Sequence, residues 1–568
     1  MKKYKIYSMI VLLALTSASC NKYLDRTPGV ALDQDKVFSD PVQAARFADN
    51  AYNYLISDYV RFNDHRGCTS QASDEAVSGN SEGTVTTLNK GLYFEHSTAA
   101  YMNDIGDVWA NMYAGIAVTN KMLAKIDGVP AAAIFPAQRV EGEMHFLRAF
   151  FYFELVKRFG GVPLLLKDYG VNDDVNLPRA SYTDCINQIV ADLDKAYTLL
   201  GTDADYGNSN YGRATKGAAM ALKARTLLYA ASPLNNPSND KAKWKAAADA
   251  AKVVMDMNEY ALQDTYDNIL NISPSPDLPK KEYIMYKVRG PRAIDGMFAD
   301  FSMSPASGGA QGQMDPTQNH VDMYQMQATG KDITDPTSGY NPQKPYVGRD
   351  PRFYANILYN GQPWQGKTMD TWIQVDGTGK VTAHGKDIDP SAITYTATGY
   401  YCKKYWPEVY NRVGGGTTLL NYIYFRYAEI LLNYAEAENE YLAAPDASVY
   451  AAINAIRQRP QVGMPPIPPG LTQDQMRVAI RHERAIELAF EDHRWYDVMR
   501  WQIGPSVIAT PMYGMRVIKN ADGSFTYTPV VLGSAFQKLY TPVQDRYPIP
   551  RSEIYKSKGV LIQNPGWN

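Results

Sequence analysis

The chain is poor in the residues and patterns that assign a chemistry directly. Only four cysteines occur in 568 residues. None forms a C-x-x-C pair, so neither a zinc ribbon nor a disulfide framework is written here, and Cys68, Cys185 and Cys402 read as structural or free thiols. The formal net charge is −2, and no long run of Lys or Arg offers the electrostatic footprint of a nucleic-acid binder. Long apolar runs are scarce as well: Ile6 to Leu15 gives about ten residues where a bilayer span needs about 20. No G-x-S-x-G and no P-loop occurs, and Gly414-Gly415-Gly416 lacks the Lys and Ser or Thr that phosphate cradling requires. His482-Glu483 opens like a zinc helix, yet Ile486 stands where the second His belongs. Asp74 and Glu75 are adjacent in a loop, unlike the separated carboxylates of a glycosidase. Asp203-x-Asp205-x-Gly207 echoes part of a calcium loop without its distal Glu. The sequence therefore calls for no enzyme and no cofactor, with calcium the weaker reading.

What is present begins with an address. Lys2, Lys3 and Lys5 precede the short apolar run, and Ser17-Ala18-Ser19 lead into Cys20. Small residues before a Cys resemble a bacterial lipoprotein box, although Ser17 occupies the place of the usual Leu. Residues 1–19 read as a signal peptide, Cys20 as the lipidated residue and 20–30 as a tether, so the expected protein is anchored to a membrane without crossing it.

Helical periodicity dominates the rest. Val140, Met144, Leu147, Phe151 and Leu155 recur at helical spacing, and Phe146, Phe150 and Phe153 fill much of the remaining circumference. Such a helix must be wrapped by others. Gly160-Gly161 ends it, Glu154 faces Lys157 and Arg158, and Arg148 inside the apolar run demands a carboxylate from another helix. Helices are expected at 41–58, 104–126, 137–159, 181–200, 213–231, 244–257, 422–442, 447–459 and 472–500. Glu491 with Arg494, and Asp497 with Arg500, are expected as ion pairs within the last of these. Paired in order from 104, they give four helix–turn–helix units of about tetratricopeptide length. Ala214, Ala218, Ala221 and Ala224 permit the close contact that stacking needs. The fold class is thus mainly α: a helical-repeat scaffold with an N-terminal part (31–261), a loop-rich insertion (262–421) and a C-terminal part (422–568), forming one unit. Within the insertion, YIMYKV and FYANILY read as short strands. The tail carries strand-like pieces and the turn YPIPRSEI.

Several segments, in order, resemble the SusD/RagB family of outer-membrane nutrient-binding lipoproteins. They are Cys20 with YLDRTP, the SDE of Ser73–Glu75, WANMYAGIAVTNKML, EGEMHFLRAFFYFELVKRFGGVPLL, GRATKGAAMALKARTLLYAASP, RDPRF, FRYAEILLNYAEAENE, INAIRQR, IRHERAIELAFEDHRWYDVMRW, YPIPRSEI and QNPGW. The resemblance implies four tetratricopeptide-like units displayed outside the outer membrane. It also implies a SusC-like TonB-dependent β-barrel transporter as partner, and an oligosaccharide, or in some members a peptide, captured between lid and barrel. A structural lid without strong affinity of its own is the remaining alternative.

Sugars present an apolar face and a rim of hydroxyls, so their sites combine flat aromatic rings with amides, carboxylates and Arg. The chain holds 42 tyrosines and 8 tryptophans against 17 phenylalanines. Two loop-rich regions supply the mixture, and loops are where binding residues concentrate. The first holds His65, Arg66, Asp74, Glu75, Asn80, Tyr93 and Tyr101. The second holds Tyr324, Trp364, Trp372, Tyr395, Tyr400 and Trp406. Trp364 and Trp372 lead, because Gly, Pro, Gln, Lys and Thr around them offer little core. Trp109 and Trp495 lie on helical patterns and are assigned to packing.

Overall fold

The computed structural model of the protein describes residues 34–56, 67–79, 84–93, 106–170, 172–206, 210–271, 282–288 and 302–567. Organisation starts from the helix that is apolar on nearly every side. Helix α2 (Ala137–Phe159) buries Met144, Phe146, Leu147, Phe151 and Leu155, packed between α1 (Gly106–Lys125) and α3 (Tyr182–Leu199). Gly160 terminates it at φ +75°, a backbone that favours glycine. The charges inside the apolar run are met as physics requires. Arg148 donates from Nε and Nη2 to Asp192 of α3 at 2.9 and 2.6 Å, and Glu154 binds Lys157 and Arg158 at 2.8 and 2.6 Å.

The stack continues through α4 (Lys216–Ala231), α5 (Lys241–Asp256), α6 (Tyr427–Tyr441), α7 (Ala447–Arg457) and α8 (Gln473–Glu487). Their starts are set by caps: the side chains of Thr215, Asp240, Asp446 and Thr472 accept from first-turn N–H groups. Helix α1 packs on α2, α3 on α4, α5 on α6 and α7 on α8, and α2 on α3 and α4 on α5 join the pairs into one array. Buried Ala218, Ala221 and Ala224 bring α4 close to its neighbours. The three cysteines in the described residues are free and buried.

Four expectations about elements are corrected. The 472–500 helix is broken: α8 stops at Glu487 and α9 (Arg494–Trp501) starts afresh, with Phe490 and Asp492 at φ +63° and +68° between them. Long-range bonds hold that break. The Phe490 N–H donates to Glu75 Oε1 at 3.0 Å, its carbonyl accepts from the Tyr405 hydroxyl, and Lys404 donates to the Ala489 carbonyl at 2.8 Å. In consequence Glu491 pairs with Arg426 and Lys404 instead of Arg494, while Asp497 does bind Arg500 at 2.8 Å. Second, YIYFR at Tyr422–Arg426 is a strand antiparallel to Tyr283–Lys287, because all five side chains are buried and the run is aromatic and β-branched. Third, FYANILY is mostly helix: Asp350 caps Pro351–Asn356, with Pro at its first position, and only Ile357–Leu358 is extended. YPIPRSEI likewise runs into a short helix, α10 (Arg551–Lys556).

Two small β assemblies carry the insertion. Strand β1 (Ala76–Ser78) pairs with β2 (Met314–Pro316), Val77 lying opposite Asp315. A four-stranded sheet joins β3 (Ile373–Val375) and β4 (Val381–His384) to the hairpin of β5 (Tyr513–Lys519) and β6 (Phe525–Val531). Its order is β6-β5-β3-β4, parallel only between β5 and β3. This sheet fastens the insertion to the C-terminal part.

Candidate functional site

The acidic SDE segment is a staple, not a ligand cluster. Asp74 accepts two hydrogen bonds from Arg494, both at 2.8 Å. Burial alone would raise its pKa, but the guanidinium holds it below the ordinary carboxylate value. Burial pushes Glu75 up to about 7. Lys538 donates to the carbonyls of Gln71, Ser73 and Ala76. The expectation that Asp74 contacts ligand is therefore corrected: its carboxylate is buried and engaged by the protein itself.

Most of the expected aromatic platforms are also committed to the interior. Trp364 and Trp406 are each 1% exposed and Tyr324 is 0% exposed, so none shows a ring face to a ligand. The Trp406 indole donates to Ser302 at 2.9 Å. The Tyr324 hydroxyl accepts from Asn356 at 2.9 Å. Tyr93 is buried against Tyr547 and Trp567, and the buried Tyr400 donates to Gln318 at 2.6 Å. Gly, Pro and Gln around Trp364 form a tight hairpin that folds its ring inward. Trp372 remains partly exposed, with the Lys519 ammonium 4.4 Å from its ring centroid. His65, Arg66, Asn80 and Tyr101 lie outside the described residues. Trp109 and Trp495 are buried, as their helical patterns imply.

Gly79 of the first region and Tyr395 of the second line one cleft of about 440 Å³, which takes in none of the other expected site residues among the described ones. Its floor is one face of the four-stranded sheet. Ile518 lies beside Ile373, and Arg516 and Val530 fall on the same face by register. Its roof is the 388–399 segment, including Ile388, Asp389, Ile393 and Tyr395. Gly79, just after β1, touches the rim. A side chain there is sterically barred: a Cβ would sit 2.6 Å from the Gly312 carbonyl, 3.0 Å from Asp315 Oδ2 and 3.2 Å from the Tyr395 carbonyl. The roof is tied down by Gly312 N–H to the Thr394 carbonyl at 2.8 Å and by Ala397 N–H to Asp315 at 2.8 Å. Burial raises the Asp315 pKa well above the ordinary carboxylate value.

The cleft leaves polar groups unengaged. Tyr395 is half-buried and its hydroxyl has no partner among the described residues. The Thr371 hydroxyl is buried without a hydrogen-bond partner. Arg516 is exposed and has neither ion pair nor side-chain hydrogen bond among the described residues. Asp389 differs: Ser391 donates to it from backbone and hydroxyl at 2.9 and 2.6 Å, holding its pKa below the ordinary value.

A second, larger cleft of about 710 Å³ lies between α1, residues 163–177 and α10. Most of its polar groups are already taken, with the Lys558 ammonium the exception among the described residues. Tyr113 donates to the Pro163 carbonyl, Asn176 to that of Ser557, and Lys556 pairs with Glu553. Sequence reasoning placed Tyr395 in the second loop group behind Trp364 and Trp372, and missed Arg516, Thr371 and Gly79. Only the pairing of strands about 140 residues apart brings the first two together.

No group of His, Cys, Asp and Glu able to hold a metal occurs among the described residues, and Asp205 is occupied by Thr202. No helix among them is long and apolar enough to cross a membrane. A helical-repeat array carrying a loop-roofed cleft, with aromatic, apolar and unengaged polar groups together, has the architecture of a binding protein. Residues 281–567 match the SusD family model, and 22–228 match a family described as starch-binding and associating with the outer membrane. The chain belongs to the SusD family, a carbohydrate-binding family associated with the outer membrane. It is 24% identical to a SusD-like protein of Formosa agariphila across the full length of both chains. A crystal structure of a SusD-like protein from Bacteroides fragilis is 30% identical, with a TM-score of 0.75 over 94% of this chain and 99% of that one. Another from the same species, a SusD-like carbohydrate binding protein, shares the fold at 23% identity and a TM-score of 0.72, over 92% of this chain and 99% of that one.

Proposed function

We propose that the protein captures an oligosaccharide or polysaccharide in the cleft between the four-stranded sheet and the 388–399 roof. It then delivers the glycan to a SusC-like TonB-dependent outer-membrane transporter. In this reading the mature chain is held at the cell surface by lipid on Cys20. The observation that carries the proposal is the coincidence, in one cleft, of a half-exposed Tyr395, flanking Ile and Val side chains, and a Tyr395 hydroxyl and Arg516 guanidinium without partners among the described residues. A pyranose offers the complementary pair, an apolar C–H face for the ring and hydroxyls for the polar groups. Among the described residues the cleft is lined by one carboxylate, Asp389, and not by the pair that sugar cleavage uses.

The test is affinity electrophoresis and calorimetry against plant, algal and host polysaccharides. Binding of at least one glycan, with no release of reducing sugar, is expected. Failure to bind any would remove the reading. Radiolabelled palmitate incorporation lost in Cys20→Ser tests the anchor, and co-purification of a β-barrel with the tagged chain tests the partner.

A further inference from the structure

Resting on the cleft reading above, the chemistry of the floor narrows the ligand class. Nearly every arginine in the interior is neutralised. Arg426 alone reaches Glu282, Glu487 and Glu491 at 2.7, 2.7 and 2.8 Å. Arg352, Arg457, Arg459, Arg484, Arg494 and Arg500 all hold carboxylates at 2.5 to 3.0 Å. Arg516 is built differently. It stands in the middle of β5, on the face that floors the cleft, with no carboxylate or carbonyl bound to its side chain among the described residues. The carboxylate on the opposite wall, Asp389, already accepts two bonds from Ser391. Among the described residues the cleft therefore presents one uncommitted cation, and a guanidinium fork matches a planar carboxylate or a sulfate by two parallel hydrogen bonds.

From this geometry we infer that the cleft takes an acidic glycan, one whose uronate carboxylate or sulfate ester binds Arg516 while a sugar ring lies against Tyr395. Neighbouring floor groups suit that orientation. Val530 and Ile373 on the same floor offer apolar contact.

The experiment uses the purified chain and a polysaccharide panel in matched forms. Uronate-containing polymers (polygalacturonate, alginate, glucuronoxylan) are run beside their carboxyl-reduced counterparts, sulfated galactans and fucans beside their desulfated ones, and laminarin, starch and mannan as neutral controls. The expected result is a hit among the acidic polymers, weakened roughly tenfold or more by neutralising the acid and by Arg516→Gln, as for loss of a charge-assisted hydrogen bond. Arg516→Lys should recover part of the loss, the melting temperature of both variants should match wild type, and about 0.5 M NaCl should weaken the hit. The uronate and sulfate arms tell the two acids apart. Binding confined to neutral glycans, or an acidic hit indifferent to Arg516→Gln, overturns this inference while leaving glycan capture intact. Binding of no glycan at all overturns both.

Discussion

Arg426 and Arg516 each lie in a strand rich in large apolar residues, YIYFR and YGMRV, yet the fold treats them oppositely. Arg426 is sealed among three glutamates and also donates to the Glu487 carbonyl at 2.7 Å. Arg516 faces the cleft without an ion pair or side-chain hydrogen bond among the described residues. The same division separates Trp364, enclosed, from Tyr395, half-open. Residue type and local sequence cannot distinguish the members of either pair, because long-range pairing decides. One set of charges and rings joins the insertion to the C-terminal helices. The other, carried on that joined surface, stays open at the cleft.

The comparison can be broken from its rigid side first. Arg426→Ala should be the most disruptive change, since it leaves three buried carboxylates short of a partner. A loss of at least about 3–5 kcal/mol by urea denaturation is expected, and a near-neutral result would show that the interior network is not what joins the two parts. Trp364→Ala should cost about 3–5 kcal/mol by the same measurement, as a buried tryptophan does. Its effect on glycan affinity in the folded fraction should be small. Tyr395→Ala reverses that pattern: roughly tenfold weaker glycan binding by calorimetry with an unchanged melting temperature. The smallest effect is a pH dependence. Burial raises Glu75 from 4.5 to about 7, so between those values the folded chain binds more protons than the unfolded one. Its stabilising effect is complete below about 4.5 and declines as pH rises to 7. Glu75→Gln should flatten that part of a melting-temperature profile, and an unchanged slope would exclude Glu75 as its source.

Much of the scaffold is legible in the sequence, and the reason is local. The Phe-rich register of α2 and the alanines of α4 encode burial within a few turns, and Thr215 or Thr472 announces a start in the next residue. Even the need of Arg148 for a carboxylate elsewhere is visible, though Asp192 as its partner is not. Legibility ends where distant segments compete with local preference. Residues 488–493 carry helical propensity, but Glu75, Lys404 and Tyr405 bind their backbone and break the helix. Tyr422–Arg426 continues a helical pattern, but the strand Tyr283–Lys287 supplies a ladder. The candidate site was legible only as two regions. Tyr395 stood in the expected group, whereas Trp364, Trp406, Tyr324 and Asp74 were drawn into packing. Arg516 carried no local mark at all, and Gly79 mattered only once another backbone passed 2.6 Å from its missing Cβ.

The central claim is that ligand meets the sheet-and-roof cleft and not the enclosed aromatics. Calorimetry of wild type, Tyr395→Ala and Trp364→Ala with one glycan that wild type binds, each protein first shown folded by its melting curve, tests it most directly. The account predicts affinity reduced about tenfold for Tyr395→Ala and retained for folded Trp364→Ala. Wild-type affinity in Tyr395→Ala, with loss in Trp364→Ala, would contradict it.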